Sequence, residues 1–261
     1  MEFDDMKQKT GFFTMVTLAV AMTACGPRTA KTPAEPFGGG NYDVETFDTG
    51  KGEVEIALIK HGTLAVRYAG TVIQIDPVAK YGKPTDYGTD FGPADVILVT
   101  HEHGDHLNDS TITVLTGENT TLILNRTSRD QIGRGDVIGN GESRRLTKDI
   151  LLEAVPAYNT TPGREHLHPQ GNGNGYVLTL GDFRIYVAGD TEDVPEMAEL
   201  KDIDVAFLPV NQPFTMTVEQ AVRAAEIIRP KVLFPYHFGQ TDVSVLPELL
   251  PGIDVRLRGM Q

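Results

Sequence analysis

A continuous apolar run, Val96-Ile-Leu-Val99, passes through Thr100 straight into His101-Glu-His-Gly-Asp-His106. Consecutive β-favouring apolar residues read as a strand buried on both faces. Three imidazoles and a carboxylate cannot follow that strand into an apolar interior without partners. The strand must therefore end at the rim of a sheet, where His and Asp side chains converge; layered α/β sheets place ligand sites at such strand ends. Residues two apart on an extended segment point the same way, so His101 and His103 can grip one ion, and once the chain turns, Asp105 and His106 can face a second. Imidazole and carboxylate are the ligands of a catalytic zinc-type site that keeps one position open. With seven histidines in 261 residues, an H-x-H-x-D-H match by chance is expected in about 4 of 10,000 such chains. The competing readings are a solvated histidine-rich loop and a metal held for stability alone.

Short strand-like runs fill most of the remaining chain: 53–59, 64–68, 71–75, 96–100, 121–124, 151–156, 176–180, 183–188, 205–209 and 232–235. Two pairs, 64–68 with 71–75 and 176–180 with 183–188, are joined by Ala-Gly and Gly-Asp and read as antiparallel hairpins. The clearest helix covers 217–229, with Val218, Ala221, Val222, Ala225 and Ile228 on one face, a Thr217/Gln220 capping box, and Pro230 as the stop. Shorter helices are expected at 110–116 and 195–201. Many strands with few helices predict an α+β or layered fold in a single domain over 41–261, and no internal repeat is visible in the sequence.

The acidic and basic residues, 36 against 23, leave a net charge of −13, which opposes a phosphate backbone and argues for no nucleic-acid partner. The single cysteine, Cys25, excludes an internal disulfide and a cysteine-rich metal site. It stands after Lys7, Lys9 and an apolar stretch over 12–22, followed by Thr23-Ala24. Such a stretch rises about 16 Å as a helix, well short of a bilayer core of about 30 Å. Residues 1–24 resemble a bacterial lipoprotein signal peptide, in which cleavage leaves a lipidated Cys25. Met22 stands where leucine is usual and acidic residues precede the lysines, with Met6 as an alternative start. Residues 25–40, rich in Gly and Pro, read as a flexible tether. The expected location is the bacterial cell envelope, exported and anchored to the membrane by lipid.

From Thr100 to His106 the chain resembles the metallo-β-lactamase superfamily, whose signature is Thr-His-x-His-x-Asp-His. Gly189-Asp190-Thr191 and Phe234-Pro-Tyr-His237, each after an apolar run, extend the resemblance to roughly residues 52–240. It implies a layered αββα sandwich of two mixed β-sheets with helices outside. His101 and His103 would bind a first metal, and Asp105, His106 and His237 a second, with Asp190 bridging. Asp105 is the catalytic candidate, orienting a shared hydroxide. His at position 103, where flavodiiron relatives carry Glu, favours hydrolysis over redox chemistry. The implied cofactor is one or two divalent ions, zinc foremost, with manganese, nickel or iron as alternatives.

One departure stands out. The family supplies a further histidine after a mid-chain strand, yet here that strand runs into Ala157-Tyr158-Asn159. His166 and His168 follow, and His168 is preferred. A subgroup related to phosphorylated-ascorbate lactonases and N-acyl-phosphatidylethanolamine phospholipases resembles this stretch in Tyr158-Asn159, His168-Pro169 and Gly189-Asp-Thr, and carries an early element like His61-Gly62. His61, Tyr158, Asn159 and His168 are therefore candidate additional ligands or substrate contacts. A core histidine is the rival reading for His61, and a surface-loop histidine for His168. Asp76, ending the run before Pro77, is expected to hydrogen-bond the metal-binding loop from behind. The Gly171-Asn-Gly-Asn-Gly175 run is a glycine-rich turn rather than a phosphate cradle, because a strand follows it instead of a helix.

The expected activity is metal-dependent hydrolysis, by metal-bound hydroxide, of an ester, lactone, amide or phosphodiester, with lactone or phosphodiester favoured. The partner would be a small-molecule or lipid-derived substrate. β-Lactams are disfavoured, since Tyr158-Asn159 stands in place of the third histidine. The alternative is an envelope lipoprotein that binds metal or ligand without turnover.

Overall fold

The computed structural model describes Met1, residues 37–81 and residues 84–261; the signal-like segment and Cys25 lie outside the described residues. Among the described residues no helix is long and apolar enough to cross a membrane.

The first half of the chain forms β1 (Asp43–Asp48), β2 (Glu53–Lys60), β3 (Thr63–Tyr68), β4 (Thr71–Ile75), α1 (Tyr87–Asp90), β5 (Ala94–Val99), α2 (Asp109–Leu115), β6 (Thr116–Leu124), α3 (Arg126–Ile132) and β7 (Asp136–Val137). The second half forms β8 (Ser143–Thr147), β9 (Ile150–Ala157), β10 (Gly173–Leu180), β11 (Phe183–Val187), a 3₁₀ turn at Pro195–Glu199, β12 (Val205–Pro209), α4 (Val218–Ile228), β13 (Val232–Tyr236), α5 (Leu246–Leu249) and β14 (Asp254–Val255). The strands build two seven-stranded sheets, one running β1 to β7 in sequence order and the other β8 to β14. In each, the first three pairings are antiparallel and the last three parallel. The two halves thus repeat one topology that the sequence does not display.

The hairpin between β3 and β4 shows how locally this order is encoded. Ala69 and Gly70 both take positive φ, 50° and 81°, which twists the two-residue connection with the strands rather than against them. Alternation then sorts the side chains. Ile73, Ile75, Val96 and Leu98 enter the core between the sheets with Tyr176, Leu178, Ile185, Val187 and Phe207. Their neighbours Ala57, Ala65, Ile97 and Val99 face outward and meet Tyr87, Ile112 and Leu115 from α1 and α2. On the far side, Ala221, Ala224, Ala225 and Ile228 seat α4 against the second sheet. Its N-terminus closes as the sequence anticipates: the Gln220 amide donates to the Thr217 hydroxyl at 3.0 Å, and the Thr217 amide donates to the Gln220 side chain at 2.8 Å.

Three readings change. The end of the expected tether is packed: Phe37 is buried, sets its ring edge against Phe91 and lies beneath the Arg67 guanidinium. An aromatic side chain finding an apolar seat anchors residues 37–40 to the fold. The helix expected at 195–201 is the shorter 3₁₀ turn. Strands β1 and β8 were not anticipated, because their charged residues hide the alternation: Asp, Glu and Asp in β1, Arg144 and Arg145 in β8.

Candidate metal centre

Four strands of the two sheets end at one rim, and each turns sharply as it leaves. His61 follows β2, Asp76 follows β4 and His237 follows β13, with φ of 47°, 45° and 50°. Non-glycine residues in the left-handed region carry strain of about 1–3 kcal/mol each and concentrate at functional sites. Gly189, just past β11, also has positive φ, at 66°, and a Cβ there would lie 2.7 Å from the Asn174 carbonyl oxygen. Only glycine fits that corner. Its neighbour Asp190 is thereby delivered into the same space as the histidines that follow β5.

The ligand-type atoms fall into three overlapping groups, each within 4.8 Å: His101, His103 and His168; His61, Asp105, His106 and His237; and His101, His106 and Asp190. In the first, His101 Nε2 lies 3.1 Å from His103 Nδ1. In the second, Asp105 Oδ2 stands 3.1 Å from His61 Nε2 and 3.5 Å from His237 Nε2. Asp190 reaches both, with Oδ2 3.2 Å from His168 Nε2 and 3.4 Å from His237 Nε2, and Oδ1 3.3 Å from His106 Nε2.

Around this centre, partners from neighbouring elements hold His106, His168 and His237. Asp76 is fully buried and accepts from the Thr100 amide at 2.7 Å, the Thr100 hydroxyl at 2.6 Å and His106 Nδ1 at 2.7 Å. Holding the proton on Nδ1 leaves His106 Nε2 facing the cluster. Behind His168, the Asn159 amide oxygen lies 3.3 Å from Nδ1, and behind His237 it is the Asn211 amide nitrogen that lies 3.3 Å from Nδ1. Asn159 therefore braces a histidine instead of entering the cluster itself. Tyr158 turns away: its hydroxyl donates to Glu196 at 3.0 Å, on the 3₁₀ turn outside the second sheet. Its backbone is held by Thr191 and Glu192, and it belongs to none of the three groups. His166 is exposed and belongs to none of the three groups.

Two braces were not visible in the sequence. Glu192, fully buried, accepts from the amides of Thr160 and Thr161 at 2.8 and 2.6 Å and so ties the segment leading to His168 onto the corner that carries Asp190. Glu102 accepts from Asn172 at 2.7 Å, pinning the His101–His103 loop to the glycine-rich turn. The last part of that run is strand: Gly173 opens β10 opposite Ala157 of β9, where a Cβ would meet the Ala157 carbonyl at 2.9 Å.

The electrostatics of the protein alone favour a cation here. Burial pushes Asp190 up, but His237 and His106 outweigh it and hold its carboxyl well below the usual range. Burial likewise raises Asp105, but the neighbouring His237 and His61 imidazoles outweigh it and hold its carboxyl below the usual range. Burial drives His101 well below the ordinary imidazole range, assisted by His106. For His106 burial is overcome by Asp190 and Asp76, which raise it. The atoms aimed inward, His106 Nε2, His168 Nε2, His237 Nε2 and Asp190 Oδ1, have no hydrogen-bond partner and are buried. Buried polar atoms without partners are costly. A divalent ion would satisfy lone pairs converging from imidazoles and carboxylates, so the residues fit one or two such ions.

A family model described as a Beta-lactamase superfamily domain matches residues 55–237, and the chain belongs to that metallo-β-lactamase superfamily. Two solved structures share the fold: one from Parabacteroides distasonis, assigned as a metal-dependent hydrolase, with TM-score 0.81 and 49% identity over 84% of this chain and 100% of the other; and a metallo hydrolase from Ignicoccus hospitalis, with TM-score 0.67 and 24% identity over 79% of this chain and 95% of the other. Within the superfamily the chain falls among the UPF0173 metal-dependent hydrolases: that of Pyrococcus furiosus is 31% identical over 71% of this chain and 84% of its own length, and that of Thermus thermophilus 32% identical over the same shares. The protein is thus a metal-dependent hydrolase with a His/Asp cluster able to hold its metal.

Proposed function

We propose that the chain hydrolyses a lactone or phosphodiester bond with two zinc ions, one held by His101, His103 and His168 and the other by Asp105, His106 and His237, with Asp190 between them. The observation that carries this reading is the pair of facing donor groups that share Asp190 while their inward atoms lack partners. His168 stands where Tyr158-Asn159 left the first position short of a histidine. Divalent ions in such a cluster lower the pKa of water and polarise a carbonyl or phosphoryl oxygen. The chain's own share is orientation: Asp105, the more open of the two central carboxylates, is placed to accept a proton from an attacking water and to aim it. The preference for lactone or phosphodiester rests on the resemblance at Tyr158-Asn159, His168-Pro169 and Gly189-Asp-Thr.

Metal analysis of the purified protein should find one to two ions per chain, lost in an Asp105→Ala, His106→Ala double variant. Lactone, phosphodiester and β-lactam panels with added zinc or manganese then test turnover. Failure of every panel with metal still bound would replace the hydrolytic reading by metal or ligand capture without turnover.

For location, the proposal is an exported lipoprotein anchored through Cys25 that acts on a small or lipid-derived substrate. It is supported by the basic, apolar and small-residue order of residues 7–25. Fatty-acid labelling that is unchanged in Cys25→Ala would overturn it.

A further inference from the structure

The loops that brace His168 and His237 meet on one side of the cluster. The Asn159 amide nitrogen donates to the Phe214 carbonyl at 2.7 Å and reaches the Arg164 carbonyl at 3.4 Å, while its oxygen faces His168. Asn211, behind His237, is followed directly by Gln212, whose side-chain oxygen accepts from the Arg164 guanidinium. The other end of that amide donates to the Thr215 carbonyl at 2.8 Å, so its oxygen is committed to Arg164. The arginine backbone is fixed on both sides, by its amide on the Thr161 carbonyl at 2.9 Å and its carbonyl under the Leu167 amide at 3.0 Å. Arg164 is thus a half-buried, pre-set cation on the loop that delivers His168.

Its partner is unusual for this chain. In a protein with 36 acidic residues, Arg67, Arg134, Arg144, Arg184, Arg223 and Arg256 each have a carboxylate within salt-bridge distance. Arg164, like Arg129, Arg145 and Arg229, has none among the described residues, and of these four it is the one that spends an N–H on a side-chain amide, that of Gln212. A guanidinium offers five donors in a fixed fork that matches a carboxylate or phosphate, so most of its capacity is left over. Phe214, whose carbonyl is bridged to that of Arg164 by the Asn159 amide, leaves 48% of its surface exposed, an apolar surface on the neighbouring loop.

We infer that Arg164, held by Gln212 and with Phe214 on the neighbouring loop, is a recognition site for an anionic group, carboxylate or phosphate, on a substrate whose neighbouring part is apolar. This rests on the hydrolytic reading above and narrows its substrate class. With two divalent ions against Asp105 and Asp190 the loaded centre is itself cationic and takes the scissile group, so Arg164 is a second cationic point, on the loop that delivers His168, for an anionic group elsewhere on the substrate. A charged hydrogen-bonded fork on a preorganised arginine supplies discrimination that the metals, common to the superfamily, do not.

The test uses zinc-loaded protein and lactones or esters matched in all but one substituent: a distal carboxylate, a distal phosphate, or the neutral methyl ester. The ratio of kcat/KM for an anionic substrate over its neutral counterpart is expected to fall about 10–100-fold in Arg164→Gln, and less in Arg164→Lys. It should not change in Arg129→Gln, an arginine on α3. The larger fall, in the carboxylate or the phosphate pair, identifies the anion. Equal effects on anionic and neutral substrates, or a loss of bound zinc in Arg164→Gln, would overturn the assignment. If wild type turns over no substrate, the hydrolytic reading fails on its own. Isothermal titration of benzoate and phenyl phosphate against wild type and Arg164→Gln then reads the site: weaker binding to the variant supports it, and equal binding refutes it.

Discussion

Asp76 offers the sharpest test of how the fold prepares the metal centre, because it is fully buried and touches no inward-facing donor atom's free side. Three donors converge on it: the Thr100 amide, the Thr100 hydroxyl and His106 Nδ1. Asp76→Ala leaves all three in a dry interior, where breaking a buried charged pair costs about 3–5 kcal/mol. At about 2–4 °C per kcal/mol for a domain of this size, Tm should drop by about 6–20 °C. Asp76→Asn is the more informative change. Asparagine tolerates the 45° φ of this position better than alanine does, and it keeps the shape while removing the charge. Its oxygen can serve the Thr100 amide, but its NH₂ then donates to His106 Nδ1 and shifts the ring proton to Nε2, the atom that faces Asp190. A protonated Nε2 cannot coordinate, and loss of such a supporting partner weakens metal binding about 10–100-fold, or about 1.4–2.8 kcal/mol. Competition against a fluorescent zinc chelator measures this, with elemental analysis for stoichiometry. An Asp76→Asn protein that binds two ions at wild-type affinity, or an Asp76→Ala protein that melts with wild type, would refute the reasoning.

Further outcomes follow from the same geometry. Gly62→Ala would place a Cβ 2.6 Å from His106 Cε1; relieving the overlap costs about 1–3 kcal/mol and displaces His106, so one ion should be lost while the other stays, as elemental analysis would show. His168→Ala should weaken metal binding, whereas His166→Ala should leave it unchanged; a reversed result would put the wrong histidine in the site. Burial and the hydrogen bond to Asp90 push the Tyr42 phenol up to about 12. The unfolded chain ionises this group near about 10, so the folded state retains a proton that the unfolded state releases, and stability falls as pH climbs through that window. Alkaline denaturation of Tyr42→Phe should be flatter between those values, and an unchanged slope would remove Tyr42 from the account.

Much of the cluster was legible because its chemistry is local. His101, His103, Asp105 and His106 are spaced by the geometry of one strand end, and Gly189-Asp190 sits after an apolar run of the same kind. The hairpin at Ala69-Gly70 and the capping box at Thr217 are equally local, each written in a few adjacent residues. What stayed hidden is long-range. Asn159 and Asn211 carry no mark of the histidines they hold, and Glu192 is an ordinary carboxylate until the corner at Gly189 turns it inward. The tilt of His61 and His237 into the centre depends on left-handed backbone that sequence patterns do not announce for histidine. Tyr158 shows the same limit: its neighbourhood resembles a ligand loop, yet its hydroxyl pairs with Glu196, distant in the chain.

The order of the strands has a consequence for how the centre is assembled. The first sheet is complete by Val137 and the second begins at Ser143, so His61, Asp76 and the histidine loop belong to one half of the polypeptide, and His168, Asp190 and His237 to the other. Neither half owns a finished coordination sphere. A complete centre needs His237 from the second half as well as the histidine loop of the first, so both halves must be folded before it can form. An ion held by residues of both halves would tie the two similarly wound sheets together at their shared rim.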